Sequence, residues 1–143
     1  MSLSGVWLNE LNSIMVVEDP GDRTLTGKYR SIVGRDPNIR DLAGRVSSEE
    51  QGKQLLGFAV CFVIDNPGPT YGRSSLCTWS GWARDEKITT HWVLTVDPLK
   101  IEDEWSATLI GEDTFEKVLD EPDPKYLEAP RNVLADLLKK KRS

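Results

Sequence analysis

Residues 74–95, SSLCTWSGWARDEKITTHWVLT, alternate in character with a period of two. That is the repeat of an extended chain, and it predicts two strands joined by a tight polar turn. Ser75, Cys77, Trp79 and Gly81 share one face of the first strand, and Thr90, Trp92 and Leu94 group on the second. One face therefore mixes two tryptophans with hydroxyls and a thiol. Buried hydroxyls need partners. Either these polar atoms satisfy one another in an ordinary core, or they line a wall that grips a small, partly polar molecule.

The same reading extends along the chain. Trp7, Asn9, Leu11, Ser13 and Met15 share a face across residues 5–18, which break near Leu11-Asn12 into two short strands. PGDRT at 20–24 is a turn. The strand that follows sets Leu25, Gly27, Tyr29, Ser31 and Val33 against Thr26, Lys28 and Arg30. RDPNIRD at 35–41 is a polar loop, LAGRVS at 42–47 a short strand and SSEEQGKQ a charged loop. LLGFAVCFVI at 55–64 is the most apolar run, with Phe58, Val60 and Phe62 on one side, and DNPGPTYG at 65–72 is a long turn. After the 74–95 hairpin, VDPLKIEDE is an acidic connection and EWSATLIGEDTFEKV at 104–118 forms the last strand, with Leu109, Gly111, Asp113 and Phe115 together. Eight closely spaced strands without an intervening helix predict an all-β fold, an antiparallel sandwich or barrel. Eight strands make a barrel wide enough for side chains or one small ligand.

Residues 1–118 thus form one β domain, and residues 119–143 differ in kind. LDEPDPKYLEAP, with its three prolines, reads as an extended linker. Val133, Leu134, Leu137 and Leu138 then recur at helical spacing ahead of a basic end that suits a helix dipole. So short a helix is marginal alone in water, so it either docks or frays.

Composition narrows the partners. The chain has 143 residues and a net charge of -5. Its last sixteen residues hold five basic and two acidic groups, which leaves 13 basic against 21 acidic, a charge of -8, on the body. An acidic body argues against nucleic acid and against anionic membrane surfaces as partners. No apolar run approaches a membrane span, and MSLSGVWLNE lacks the regions of a secretory signal. Cys61 and Cys77 fall on opposite faces of their strands, so a bridge between them is not expected, and free thiols suit a reducing, cytoplasmic setting.

Chemistry for catalysis is sparse. The single histidine, His91, alternates to the face opposite Trp92 and points outward. The chain carries no phosphate loop, nucleophile elbow or metal-spaced cluster, so neither an enzyme nor a cofactor is expected. What remains is a set of inward polar residues, Asn9, Ser13, Tyr29, Ser31, Ser75, Thr90 and Asp113, among the inward aromatics Trp7, Phe58, Phe62, Trp79 and Trp92. Asp113 is the sharpest of them. A buried carboxylate must be paired within the protein, with Asn9 or a backbone amide, or meet ligand N–H groups, or both.

Seven fragments in order, GVWLNELNS, LTGKYRSIVG, LAGR, LLGFAV, SSLCTWSGW, ITTHWVLT and EWSATLIGEDTFEKV, resemble the avidin and streptavidin family of biotin-binding proteins. Streptavidin is a standard example of a closed up-and-down barrel and of extreme affinity. The resemblance implies an eight-stranded up-and-down barrel that sequesters biotin at one end. Asn9, Ser13 and Tyr29 would donate to the ureido oxygen, in the manner of an oxyanion hole. Asp113 and Ser31 would accept from the two ureido N–H groups. Ser75 and the backbone at Arg35 would hold the valerate carboxylate. Phe62, Trp79 and Trp92 would pack on the bicyclic ring and tail, with Leu11, Val33, Cys77 and Leu94 completing the lining. Trp105 matches a tryptophan that reaches into a neighbouring subunit, which implies a homo-oligomer, a tetramer. His91, Val93 and Ile110 match outward positions where family subunits meet.

Three departures stand out. Phe62 replaces a tryptophan, Cys77 replaces a threonine that meets the biotin sulfur, and the 63–74 loop is longer and carries two prolines. A lipocalin-like carrier of another small molecule is the alternative. It shares the barrel but has no reason to keep Asn9, Ser13, Tyr29 and Asp113 together.

Overall fold

A computed structural model describes residues 2–32 and 36–142. The strands are β1 (Gly5–Asn9), β2 (Ile14–Glu18), β3 (Thr24–Arg30), β4 (Arg40–Val46), β5 (Gln54–Val63), β6 (Tyr71–Arg84), β7 (Lys87–Pro98) and β8 (Thr108–Leu119). Each pairs antiparallel with the next, and β8 returns to β1, so the sheet closes into the eight-stranded up-and-down barrel that the resemblance implied, deciding the choice between sandwich and barrel that the alternation left open. Closure leaves no unpaired sheet edge.

The organising hairpin is β6–β7. Its register sets Trp79 opposite Trp92, Cys77 opposite Leu94 and Gly81 opposite Thr90. Asp85 and Glu86, at φ 52 and 62, turn the chain in two residues. Positive φ at both central positions gives a twist that matches the flanking strands. On the other side of β7, Thr90 faces Asp113 and Trp92 faces Gly111.

Inward positions fill only half of the tube. Trp7, Leu25, Leu56, Phe58, Ile88 and Phe115 are buried together toward the end carrying the β2–β3, β4–β5 and β6–β7 turns. Lys117 closes that end. Its ammonium lies 5.4 Å from the centre of the Trp7 ring and donates to the Ser2 carbonyl at 3.0 Å.

Two local readings change, and the choice left open for the tail is decided. The last strand begins at Thr108, because Ile101–Ser106, including Trp105, winds into a 3-10 helix. Pro124–Glu128 is a second 3-10 helix rather than an extended linker, its first turn capped by the Asp123 carboxylate on the Lys125 amide at 3.0 Å. The closing helix, α1 (Arg131–Arg142), docks. Leu127 and Leu134 join Val6, Leu8, Ile14, Val16 and Val118 in a second apolar core on the outside of the barrel. All five residues of β1 are therefore buried, inward and outward alike. The helix end is held by Lys141 to Glu86 at 2.6 Å and by the Arg142 Nε to Glu116 at 3.0 Å.

Candidate functional site

The unfilled half of the barrel is a cavity of about 540 Å³, open at the end that carries the β1–β2, β3–β4, β5–β6 and β7–β8 connections. Its innermost polar groups come from strands far apart in sequence.

The β1–β2 turn supplies Asn9 and Ser13. Asn12 takes φ 65, and the Asn9 Oδ1 accepts from the Leu11 and Ser13 amides at 3.0 and 2.9 Å. With that oxygen occupied, the Asn9 NH2 hydrogens are what the side chain offers the cavity, and the amide also bonds Asp113. The Ser13 hydroxyl accepts from the Ile32 amide at 3.1 Å, so its own hydrogen is left to donate. It also hydrogen-bonds Tyr29. Tyr29, on β3, is buried. Desolvation, and after it the charge of Asp113, raise its phenol well above the ordinary value, so it stays a donor. Its ring lies 5.1 Å from Trp79 and meets Phe62 edge-on at 5.9 Å.

Trp79 joins the apolar plug to the polar floor. Its ring stacks on Phe58 at 4.9 Å and 17°, and its Nε1 donates to the Asp113 Oδ2 at 2.8 Å. Asp113 is thus held in the ligand-free protein by an indole and by Asn9. Burial pushes its carboxyl up to about 6; the Trp79 and Asn9 bonds oppose that rise, and Glu10 adds to it. Cys77 lies close by, its thiol pushed up to about 12 by burial first and by the Asp113 charge second. It remains an S–H, a weak donor. Thr90, expected among the inward polar set, is buried but commits its hydroxyl to the Asp113 carbonyl at 2.8 Å and does not line the cavity.

Ser31, Phe62, Ser75, Trp92 and Leu94 form the walls above, and Leu11 sits half-exposed at the mouth. Gly111 makes room for the Trp92 ring: a Cβ there would come within 2.2 Å of it. Val33 and Arg35 lie outside the described residues. Trp105 does not line its own chain's cavity and is 86% exposed.

The mouth holds residues that alternation did not single out. Ile64, Pro67 and Thr70 come from the Pro/Gly-rich β5–β6 turn and Tyr71 opens β6 directly after it; the added length of this segment was the one signal pointing to them. The Tyr71 hydroxyl bonds the Ser106 Oγ at 2.9 Å, which ties this loop to the Trp105 helix. Asp36 also lines the cavity although it is buried. Burial pushes its carboxyl up, but Arg40 at 2.7 Å and the Val63 and Asn38 amides outweigh that and hold it below the ordinary value. Among the described residues, no group of three or more His, Cys, Asp or Glu side chains is placed to hold a metal ion.

The sequence model of the avidin family matches residues 1–118. The chain belongs to the avidin family. Avidin-related protein 4/5 of Gallus gallus is 26% identical over 121 residues, spanning 82% of this chain and 78% of that protein. For an avidin-family chain, the 3-10 turn at 124–128 and helix α1 lie beyond the segment that the family model matches.

Proposed function

We propose that this avidin-family chain binds biotin, without catalysis, and so sequesters it. The observation that carries the reading is the convergence of Asn9, Ser13, Tyr29 and Asp113 on one cavity beneath Trp79 and Trp92. Three donors fixed by their own backbone and side-chain bonds suit one polarised carbonyl oxygen, and a carboxylate beside them suits the N–H of the same urea. In this reading Ser31 takes the second N–H, and Ser75 and the Arg35 backbone take the valerate carboxylate. Phe62, Trp79 and Trp92 cover the bicyclic ring and tail, with Leu11, Val33, Cys77 and Leu94 around them. The donors are oriented before the ligand arrives, so little ordering cost remains on binding.

The exposure of Trp105 at the mouth supports a second part of the reading. It would close the pocket of a neighbouring subunit in a homo-oligomer, a tetramer. Titration calorimetry, or competition with labelled biotin at neutral pH, tests the whole. Dissociation constants below micromolar, beyond about -8 kcal/mol, are expected. Weaker binding would overturn the reading and favour a carrier of another molecule, identifiable by mass spectrometry of ligand retained through native purification.

A further inference from the structure

Asp113 is met from the β1–β2 turn by a second carboxylate, Glu10. The Glu10 Oε2 accepts from the Thr114 amide at 2.8 Å, one residue along from Asp113, and the Glu10 side chain also hydrogen-bonds the Asp113 side chain. Two carboxylates in hydrogen-bond contact need a proton between them, because both are acceptors when ionised. Glu10 is exposed while Asp113 is buried, so the pair spans from the cavity floor to solvent and a proton can enter without passing the ligand.

We propose that Glu10 is a positioning residue that acts through Asp113: pinned to the Thr114 amide, it shares a proton with the Asp113 carboxyl and makes the cavity release a urea-type ligand as the medium acidifies. The proposal rests on the biotin reading for its ligand, and on the two carboxylates alone for its proton.

The sign follows from what each form can accept. An ionised Asp113 offers a charge-assisted acceptor to a ligand N–H, roughly twice as strong as a neutral one. The protonated pair spends the proton between its own oxygens and presents a neutral carboxyl. Binding therefore falls as pH falls through the titration of the pair. Two other titratable side chains line the cavity beside Asp113, and neither ionises in that range. Tyr29 from β3 is raised well above its ordinary value and Cys77 from β6 is pushed up to about 12, so both stay neutral. Trp79 and Asn9 are fixed donors. The inward cation on the same strand, Lys117, is committed to the Ser2 carbonyl and to Asp120 at 3.5 Å. His91 bonds Glu112, and both side chains are exposed on the outer face.

Two readouts test this on the full chain. The first is the biotin dissociation constant between pH 8 and pH 4.5 for wild type and Glu10→Gln. The wild-type constant is expected to rise about tenfold by pH 5, as the competent ionised fraction shrinks with a midpoint near 6. In Glu10→Gln the same rise is expected at least about half a pH unit lower, since burial still raises Asp113 but the contribution that Glu10 adds is gone. The second readout needs no ligand. The Trp79 indole N–H donates to Asp113, so its proton resonance, identified by its loss in Trp79→Phe, reports the titration directly. It is expected to titrate in wild type, to shift to lower pH in Glu10→Gln, and to stop titrating in Asp113→Asn. Indole curves that superimpose in wild type and Glu10→Gln, or a titration that survives in Asp113→Asn, would overturn the proposal. Absence of biotin binding at pH 8 would instead overturn the functional reading, and the indole titration would still decide the role of Glu10.

Discussion

Asp113 stands under two opposed demands, because the ionised form that suits a ligand N–H is the form that burial resists. A buried charge-assisted hydrogen bond contributes about 1.5–3 kcal/mol. Asp113→Ala is therefore expected to weaken biotin binding roughly ten- to hundredfold by calorimetry, at about 1.4 kcal/mol per factor of ten. Cys77→Thr replaces a weak S–H donor with a hydroxyl at a wall position and is expected to change binding less than about tenfold. Equal, negligible effects would remove Asp113 from the site. The same carboxyl has a stability signature. Its folded value, about 6, lies above the ordinary 3.8, so the native state holds the proton more tightly than the unfolded chain. That contribution is complete below about pH 4 and is lost as pH rises through 6. Asp36 runs the other way: its value is lowered, so its contribution is present above the ordinary carboxylate range and lost as pH falls below it. The ligand-free protein is expected to gain melting temperature between pH 7.5 and pH 5, and Asp113→Asn to flatten that rise. A wild-type melting temperature that falls steadily over this range would contradict the placement of Asp113.

Strands were legible wherever one face is wet. In β6 the alternation of Ser75, Cys77, Trp79 and Gly81 against their neighbours gave both the strand and its inward set, and Cys77 is buried while Cys61 is exposed, as the phase required. Alternation says less where both faces are dry. Val6 and Leu8 in β1, and Ile14 and Val16 in β2, are apolar because α1 and its preceding turn cover them from outside, a partner more than a hundred residues away. Trp105 fitted a period of two with Leu109, yet its segment is a 3-10 helix with no buried residue, so no core held it to the strand. Asp36 was invisible because its meaning depends on Arg40 and the end of β5 meeting it in space. The second core predicts that the tail carries stability and not affinity. Leu134 is fully buried there, and truncating a buried leucine costs about 2–5 kcal/mol. Leu134→Ala should lower the melting temperature by several degrees, at about 2–4 °C per kcal/mol for a chain of this size. Biotin affinity at 25 °C should stay within experimental error, since Leu134 does not line the cavity. An unchanged melting temperature would mean that the tail is not docked in solution.

The whole molecule is asymmetric around the barrel, and that asymmetry says where copies would meet. The outer surface of β1 and β2 is taken by the tail. On β5–β8 the outer surface keeps large apolar side chains in cross-strand pairs, Leu55 with Trp82 and Val93 with Ile110, and Ile110 is 77% exposed. Leu76 on β6 is also exposed, as is Trp105 in the β7–β8 connection. Large apolar side chains left exposed in this way mark an interaction face. A barrel has no free edge to add strands to, so association must occur face to face through these side chains. Light scattering at tens of micromolar is expected to give a multiple of the 16.1 kDa chain mass. Val93→Asp combined with Ile110→Asp should reduce it to a single chain, because paired carboxylates on an apolar face cannot be desolvated without partners. If Trp105 closes a neighbour's pocket, that monomer should also release biotin faster, and Trp105→Ala should reproduce the faster release while leaving most of the mass intact. A wild-type mass of one chain would confine the proposed binding to a single barrel. A dissociated variant with unchanged release would show that the cavity is complete without its neighbour.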